Sequence, residues 1–288
     1  MALDETSRAP AVAGRFYPQS ARALEQAVTE LMSAAARNTH NPAARVIICP
    51  HAGYHYSGRL AAQTIASVTI PQTVILLGPN HHGQGPPIAL SQQDWQMVST
   101  TVSSNRVLVD ALKRQHDSIT ISETAHRFEH SLEVLLPLLL SCQPQLRIVP
   151  MVISQISLPL CEQVGRAIAR VVMDAQEEVL IVVSTDMSHY ESRAVAASKD
   201  QLALSAIKKL AADQLYHTVR QEQISMCGYL PTTIAIFAAR LLGATKVHLI
   251  DYTDSGAVSG DLEQVVGYAG LVINGPSNNS FSLTRTLA

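Results

Sequence analysis

Short, continuous apolar runs alternate along this chain with longer stretches whose apolar residues recur every three or four positions. RVIIC (45–49), TVILLG (73–78), RIVPMVIS (147–154) and EVLIVVS (178–184) are rich in β-branched residues. They have the length and uniformity of strands buried on both faces. KVHLIDY (246–252) and VVGYAGLVIN (265–274) read as the last two strands, and PIALSQQDWQMV as strand or hairpin material. Between them, SARALEQAVTELMSAAARN sets Leu24, Val28, Leu31 and Met32 on one helical face. SGRLAAQTIASV, NRVLVDALKRQ, LPLCEQVGRAIARVVMDA, SKDQLALSAIKKLAADQLYHTV and PTTIAIFAARLLGA carry the same kind of pattern. EHSLEVLLPLLLSC (129–142) is strongly apolar and is expected to be helical despite Pro137. Unbroken strand–helix alternation predicts an α/β fold, a single domain over 1–275 with a mostly parallel central sheet flanked by helices. The polar stretch 276–288 is expected to be a flexible C-terminal tail.

Composition narrows this picture. The 288 residues are 47% hydrophobic and 15% charged, with a formal net charge of -2. That is ample core material and too little positive charge for nucleic-acid binding or electrostatic membrane attachment. No apolar stretch reaches the length of a membrane span, and the opening MALDETSRAPAVAGRFYP lacks a basic segment followed by an apolar one, so a cytoplasmic location is expected. Cys49, Cys142, Cys161 and Cys227 are widely spaced with no CxxC pair, which argues against a disulfide framework and a zinc ribbon.

In parallel sheets, ligands bind beyond the carboxyl ends of the strands. Here three strand ends run into histidine. RVIIC leads into PHAGYHYSG with His51 and His55, TVILLG into PNHHG with His81 and His82, and EVLIVVS into TDMSHYE with Asp186 and His189. Imidazole is both the commonest metal ligand and the usual general base near neutral pH. His81 is nearer its strand end than His82, so it is the favoured ligand of the two, with His82 a hydrogen-bonding partner or solvated; His55 is assigned to the surroundings of the site. Asp186, three residues before His189, either orients that ring or caps the next turn. Glu129 and His130 either serve the site or open a helix, and Glu133 on the same helical face reads as solvated charge. Cys227 falls at the N-terminus of the helix expected over 228–242, where the helix dipole favours a thiolate; it is the one cysteine placed to react or to bind metal.

GRFYP, PHAGYHYSG, LGPNHHG, EHSLEVLLP, STDMSHY and CGYLP, in this order, resemble the MEMO protein family, whose prokaryotic members are also called AmmeMemoRadiSam system protein B. The resemblance runs from about Gly14 to the GYAG at 267–270. It implies a fold like that of the LigB-type class III extradiol dioxygenases, which use non-haem iron. By motif, it implies a metal site of His51, His81 and Cys227, with His189 as catalytic base and Asp186 beside it. Human-type members have CGRHP where this chain has CGYLP, so Tyr229 and Leu230 imply different substrate contacts beside the cysteine. A thiol in place of a carboxylate shifts preference from iron towards copper or zinc. The family name also implies association with AMMECR1-like and radical-SAM proteins.

Three functions follow as expectations. The first is metal-dependent redox chemistry on iron or copper, with zinc as the further candidate. The second is a non-catalytic module that binds a peptide or small molecule, with Phe16, Tyr54 and Tyr56 as aromatic walls. The third is a thiol hydrolase built on Cys227, with His189 or His81 as its base and Asp186 as the orienting group.

Overall fold

The structure is a computed structural model that describes residues 7–35 and 44–275; the expected tail at 276–288 lies outside the described residues. Among the described residues, twelve strands form one sheet. They are β1 (Ser7–Arg8), β2 (Ala44–Cys49), β3 (Thr73–Pro79), β4 (Ile88–Leu90), β5 (Asp94–Gln96), β6 (Thr101–Ser104), β7 (Thr120–Ile121), β8 (Arg147–Ile153), β9 (Val179–Ser184), β10 (His189–Glu191), β11 (Lys246–Asp254) and β12 (Val265–Asn274). The helices are α1 (Ala21–Ala35), α2 (Tyr54–Ala66), α3 (Arg106–Lys113), α4 (Glu123–His126), α5 (Leu136–Cys142), α6 (Leu158–Asp174), α7 (Arg193–Lys208), α8 (Ala212–Gln221), α9 (Tyr229–Leu241) and α10 (Gly256–Ser259).

The centre of the sheet is the parallel run β6-β8-β3-β9-β2. Its strands are the continuous apolar runs of the sequence, because side chains alternate between the two faces and both faces are covered. Val46, Ile48, Ile75, Leu77, Ile181 and Val183 point into one core, packed with residues of α3, α6, α7, α8 and α9. Ile47, Val74, Leu76, Leu180 and Val182 point into the other, under α1, α2 and α5. Around this centre the sheet is mixed. β12 runs antiparallel to β2 and carries β11 and β10, also antiparallel, while β4 runs antiparallel to β8.

The segment 129–142 departs from the expected continuous helix. Residues 129 and 130 are irregular, 131 and 132 form a turn, Glu133–Leu135 a 3-10 turn, and only Leu136–Cys142 an α-helix. The Glu129 carboxylate accepts the backbone N–H groups of His130 and Ser131, so helix formation is delayed. Pro137 then falls in the first turn of α5, where its missing N–H leaves no bond unmade. The expected helix spanning SKDQLALSAIKKLAADQLYHTV is likewise two helices, α7 and α8, parted where Leu210 takes a φ of 54°.

Candidate metal site

Strand register brings the polar loops together. β2 and β9 pair in parallel with Cys49 opposite Ser184, and β3 pairs with β9 with Leu77 opposite Val183. The residues that follow these strands therefore leave the sheet side by side. The Thr185 N–H donates to the Cys49 carbonyl at 2.9 Å, and the His51 N–H to Asp186 Oδ1 at 2.8 Å. On the other side of β9, Ser131 Oγ donates to the Pro79 carbonyl at the end of β3. That approach needs glycine at 78, since a Cβ there would lie 2.7 Å from both Ser131 Oγ and the Leu132 side chain.

Hydrogen-bond partners fix the tautomers of the histidines. Ser184 Oγ gives its single proton to the Ser131 carbonyl at 2.6 Å, so at 2.7 Å from His51 Nδ1 it accepts. His51 thus carries its proton on Nδ1 and a lone pair on Nε2. His81 Nδ1 lies 2.8 Å from Glu129 Oε1, an acceptor when ionised, and again Nε2 is left with the lone pair. Glu129 is fully buried and also accepts from the backbone of His81 at 2.6 Å and of His130 and Ser131 at 2.9 Å. Burial pushes its carboxyl up, but the hydrogen bonds from His81 and from the Ser131 N–H more than offset this and hold it below the usual carboxylate range.

Each of His51, His81 and His130 offers a ring nitrogen, and the three atoms lie within 4.8 Å of one another. The His81 and His130 rings stack at 4.5 Å, and His51 meets both edge-on at 5.3 and 5.4 Å. Burial lowers the His51 pKa well below that of a free imidazole, and the neighbouring rings of His81 and His130 lower it further. Burial likewise brings His130 down to about 4. Both are neutral at pH 7, the form in which imidazole ligates a metal.

Cys227 directly precedes Gly228, the N-cap of α9. Its sulfur lies 3.6 Å from His51 Nε2 and accepts the Asp186 N–H at 3.2 Å. Helix-dipole reasoning favours a thiolate here, but burial, followed by the charge of Asp186, pushes the thiol up. Burial raises Asp186 to about 6, against the opposing effect of the N–H from His51. The expected Asp186–His189 hydrogen bond is replaced by other partners. Asp186 holds the backbone of His51, while His189 Nδ1 donates to the Ser225 carbonyl at 2.9 Å, leaving Nε2 as an acceptor.

The sequence matches the family model described as Memo-like protein over residues 8–272. This chain belongs to the Memo family. It is 38% identical to a MEMO1 family protein of Aquifex aeolicus over 267 residues, covering 92% of this chain and 98% of that protein. A MEMO1 family protein of Methanosarcina barkeri is 35% identical, covering 92% of this chain and 99% of the relative. Among solved structures, the uncharacterized protein JW3007 of Escherichia coli K12 superposes with a TM-score of 0.55 at 13% identity, over 79% of this chain and 98% of that one. This likeness concerns the fold alone.

In this Memo family chain, the two atom groups of three or more found among the described residues are His51–His81–His130 and His82–Glu129–His130. Cys227 touches the first through His51. In the second, Glu129 already accepts four N–H groups, and His82 is exposed beside Phe128. Phe16 packs on the His130 ring at 4.7 Å. His55 is exposed against Tyr56, and Tyr54 is buried with its hydroxyl on the Val134 carbonyl. Tyr229 and Leu230 are buried in the core, with Tyr229 Oη donating to Gln155 Oε1 at 3.2 Å. Glu133 is no solvated charge. It is fully buried and accepts from Tyr17 Oη, Ala11 N and Val12 N. Ser184 and Ser131, which set the His51 tautomer, were given no role in the sequence reading, although both lie within its motifs. Arg8 and Ser225 carry no sequence signal.

Proposed function

We propose that this protein binds a redox-active metal ion, iron or copper, at the carboxyl ends of β2 and β3. His51 and His81 are its constant ligands and Cys227 is the third, within contact of His51. The observation that carries this reading is the pair of tautomers. Ser184 and Glu129 each accept a hydrogen bond from an Nδ1–H, which leaves Nε2 of both rings as the nitrogen available to a metal, beside a thiol. A bound ion there would supply Lewis acidity and one-electron chemistry. His189, with Nδ1 tied to Ser225, offers Nε2 to accept a proton from a bound substrate. Asp186 holds the His51 backbone, and its N–H steadies the sulfur.

The thiol-hydrolase reading has less support, because burial and Asp186 both disfavour the thiolate when no metal is bound. Metal analysis of protein purified without a metal-affinity tag tests the proposal. A stoichiometric ion is expected in the wild type and little or none in His51→Ala and His81→Ala. Unchanged stoichiometry in both variants would rule the proposal out.

A further inference from the structure

We infer that Arg8, on the N-terminal strand, is a positioning residue for this metal site, acting through the loop that carries Glu129. The inference rests on the metal-binding reading above. Arg8 is buried, only 3% exposed, and is fixed on three sides. β1 pairs with β5 so that Arg8 lies opposite Trp95, and the guanidinium sits over the Trp95 ring at 4.1 Å. Nε donates to the His126 carbonyl at 2.7 Å and Nη2 to the Glu129 carbonyl at 2.5 Å. Nη1 stands 2.7 Å from Glu133 Oε2, an ion pair whose angle falls outside hydrogen-bond geometry.

The two carbonyls are the two ends of the turn 126–129. One rigid guanidinium therefore pins both ends of the segment whose last side chain orients His81. A lysine, with a single nitrogen on a flexible stem, does not reproduce this fork. A buried ion pair adds little stability over an apolar replacement of equal volume, so stability alone gives no reason for a guanidinium here. Its donors are aimed instead at the turn that carries Glu129. The same N-terminal segment meets the site a second time, since Phe16 packs on His130 and its carbonyl accepts the Tyr54 N–H at 2.8 Å. Glu133 ties the segment down through Ala11, Val12 and Tyr17.

The test is titration of the full-length metal-free chain with Co(II), followed by its d–d absorption, alongside urea unfolding. The variants are Arg8→Met, Arg8→Met/Glu133→Gln and His51→Ala. Arg8→Met leaves Glu133 buried and unpaired, so it is expected to lose stability and to bind Co(II) about 10- to 100-fold more weakly with an altered spectrum. The double variant removes the unpaired charge. Its unfolding midpoint is expected to recover in part, since an amide at 133 keeps one oxygen for Val12 and Tyr17 but sets an N–H against that of Ala11, while its Co(II) affinity stays low and its spectrum stays altered. If Arg8→Met does not fold, the double variant decides alone. Wild-type affinity and spectrum in the double variant would reduce Arg8 to a structural residue and overturn the inference. Equal Co(II) binding by wild type and His51→Ala would overturn the metal reading itself, and the role of Arg8 with it.

Discussion

An imidazole ring serves a metal through one nitrogen only if something else takes charge of the other. In this chain a serine, a carboxylate and a backbone carbonyl do so for His51, His81 and His189. A fourth histidine shows the cost of having no such arrangement. His126 is fully buried, Nε2 donates to the Ala89 carbonyl at 3.0 Å, and Nδ1 has no partner. Burial holds its pKa down at about 4. Between pH 6.5 and 4 the unfolded chain therefore binds a proton that the folded chain refuses, and stability falls as pH falls. The full effect is on the order of 3 kcal/mol. His126→Gln, which keeps a donor for Ala89, is expected to make the acid limb shallower in urea melts from pH 7 to 4, the remainder coming from His51 and His130, with little change in slope above pH 7. His51, His81 and Cys227 were legible as candidates because each sits at a strand end or helix start. The tautomers were not, since Ser184 lies 133 positions from His51 and Glu129 lies 48 from His81.

At the scale of elements, the site depends on where strands stop and on how closely α9 approaches β9. The Gly228 N–H donates to Thr185 Oγ1 at 2.9 Å, and a Cβ at 228 would stand 2.5 Å from Thr185 Cβ. Gly228→Ala must push the start of α9 away from the loop after β9, at about 1–3 kcal/mol, and must carry Cys227 with it. A lower denaturation midpoint and faster alkylation of Cys227 are the expected results; an unchanged alkylation rate would show that the sulfur is held independently of α9. The parallel strands were readable from their apolar runs because both faces of each are buried. The helix expected from Glu129 was misread because composition does not reveal a carboxylate that captures the backbone N–H groups next to it.

At the scale of the molecule, a parallel centre with antiparallel additions leaves one end of β2, β3 and β9 free to carry the converging loops. The alternation of runs conveyed the α/β class, and the ordered motifs conveyed the Memo family. The antiparallel β12 and its partners were less legible, since strand direction depends on pairing and not on the strand's own pattern. No helix among the described residues is long and apolar enough to cross a membrane. The most direct test of the central claim is anomalous scattering, at the absorption edge of the bound ion, from crystals prepared without oxygen in saturating iron or copper. The account predicts one peak about 2 Å from Nε2 of both His51 and His81, within bonding reach of the Cys227 sulfur. A peak that leaves either imidazole unbound, or no peak at all, would contradict it.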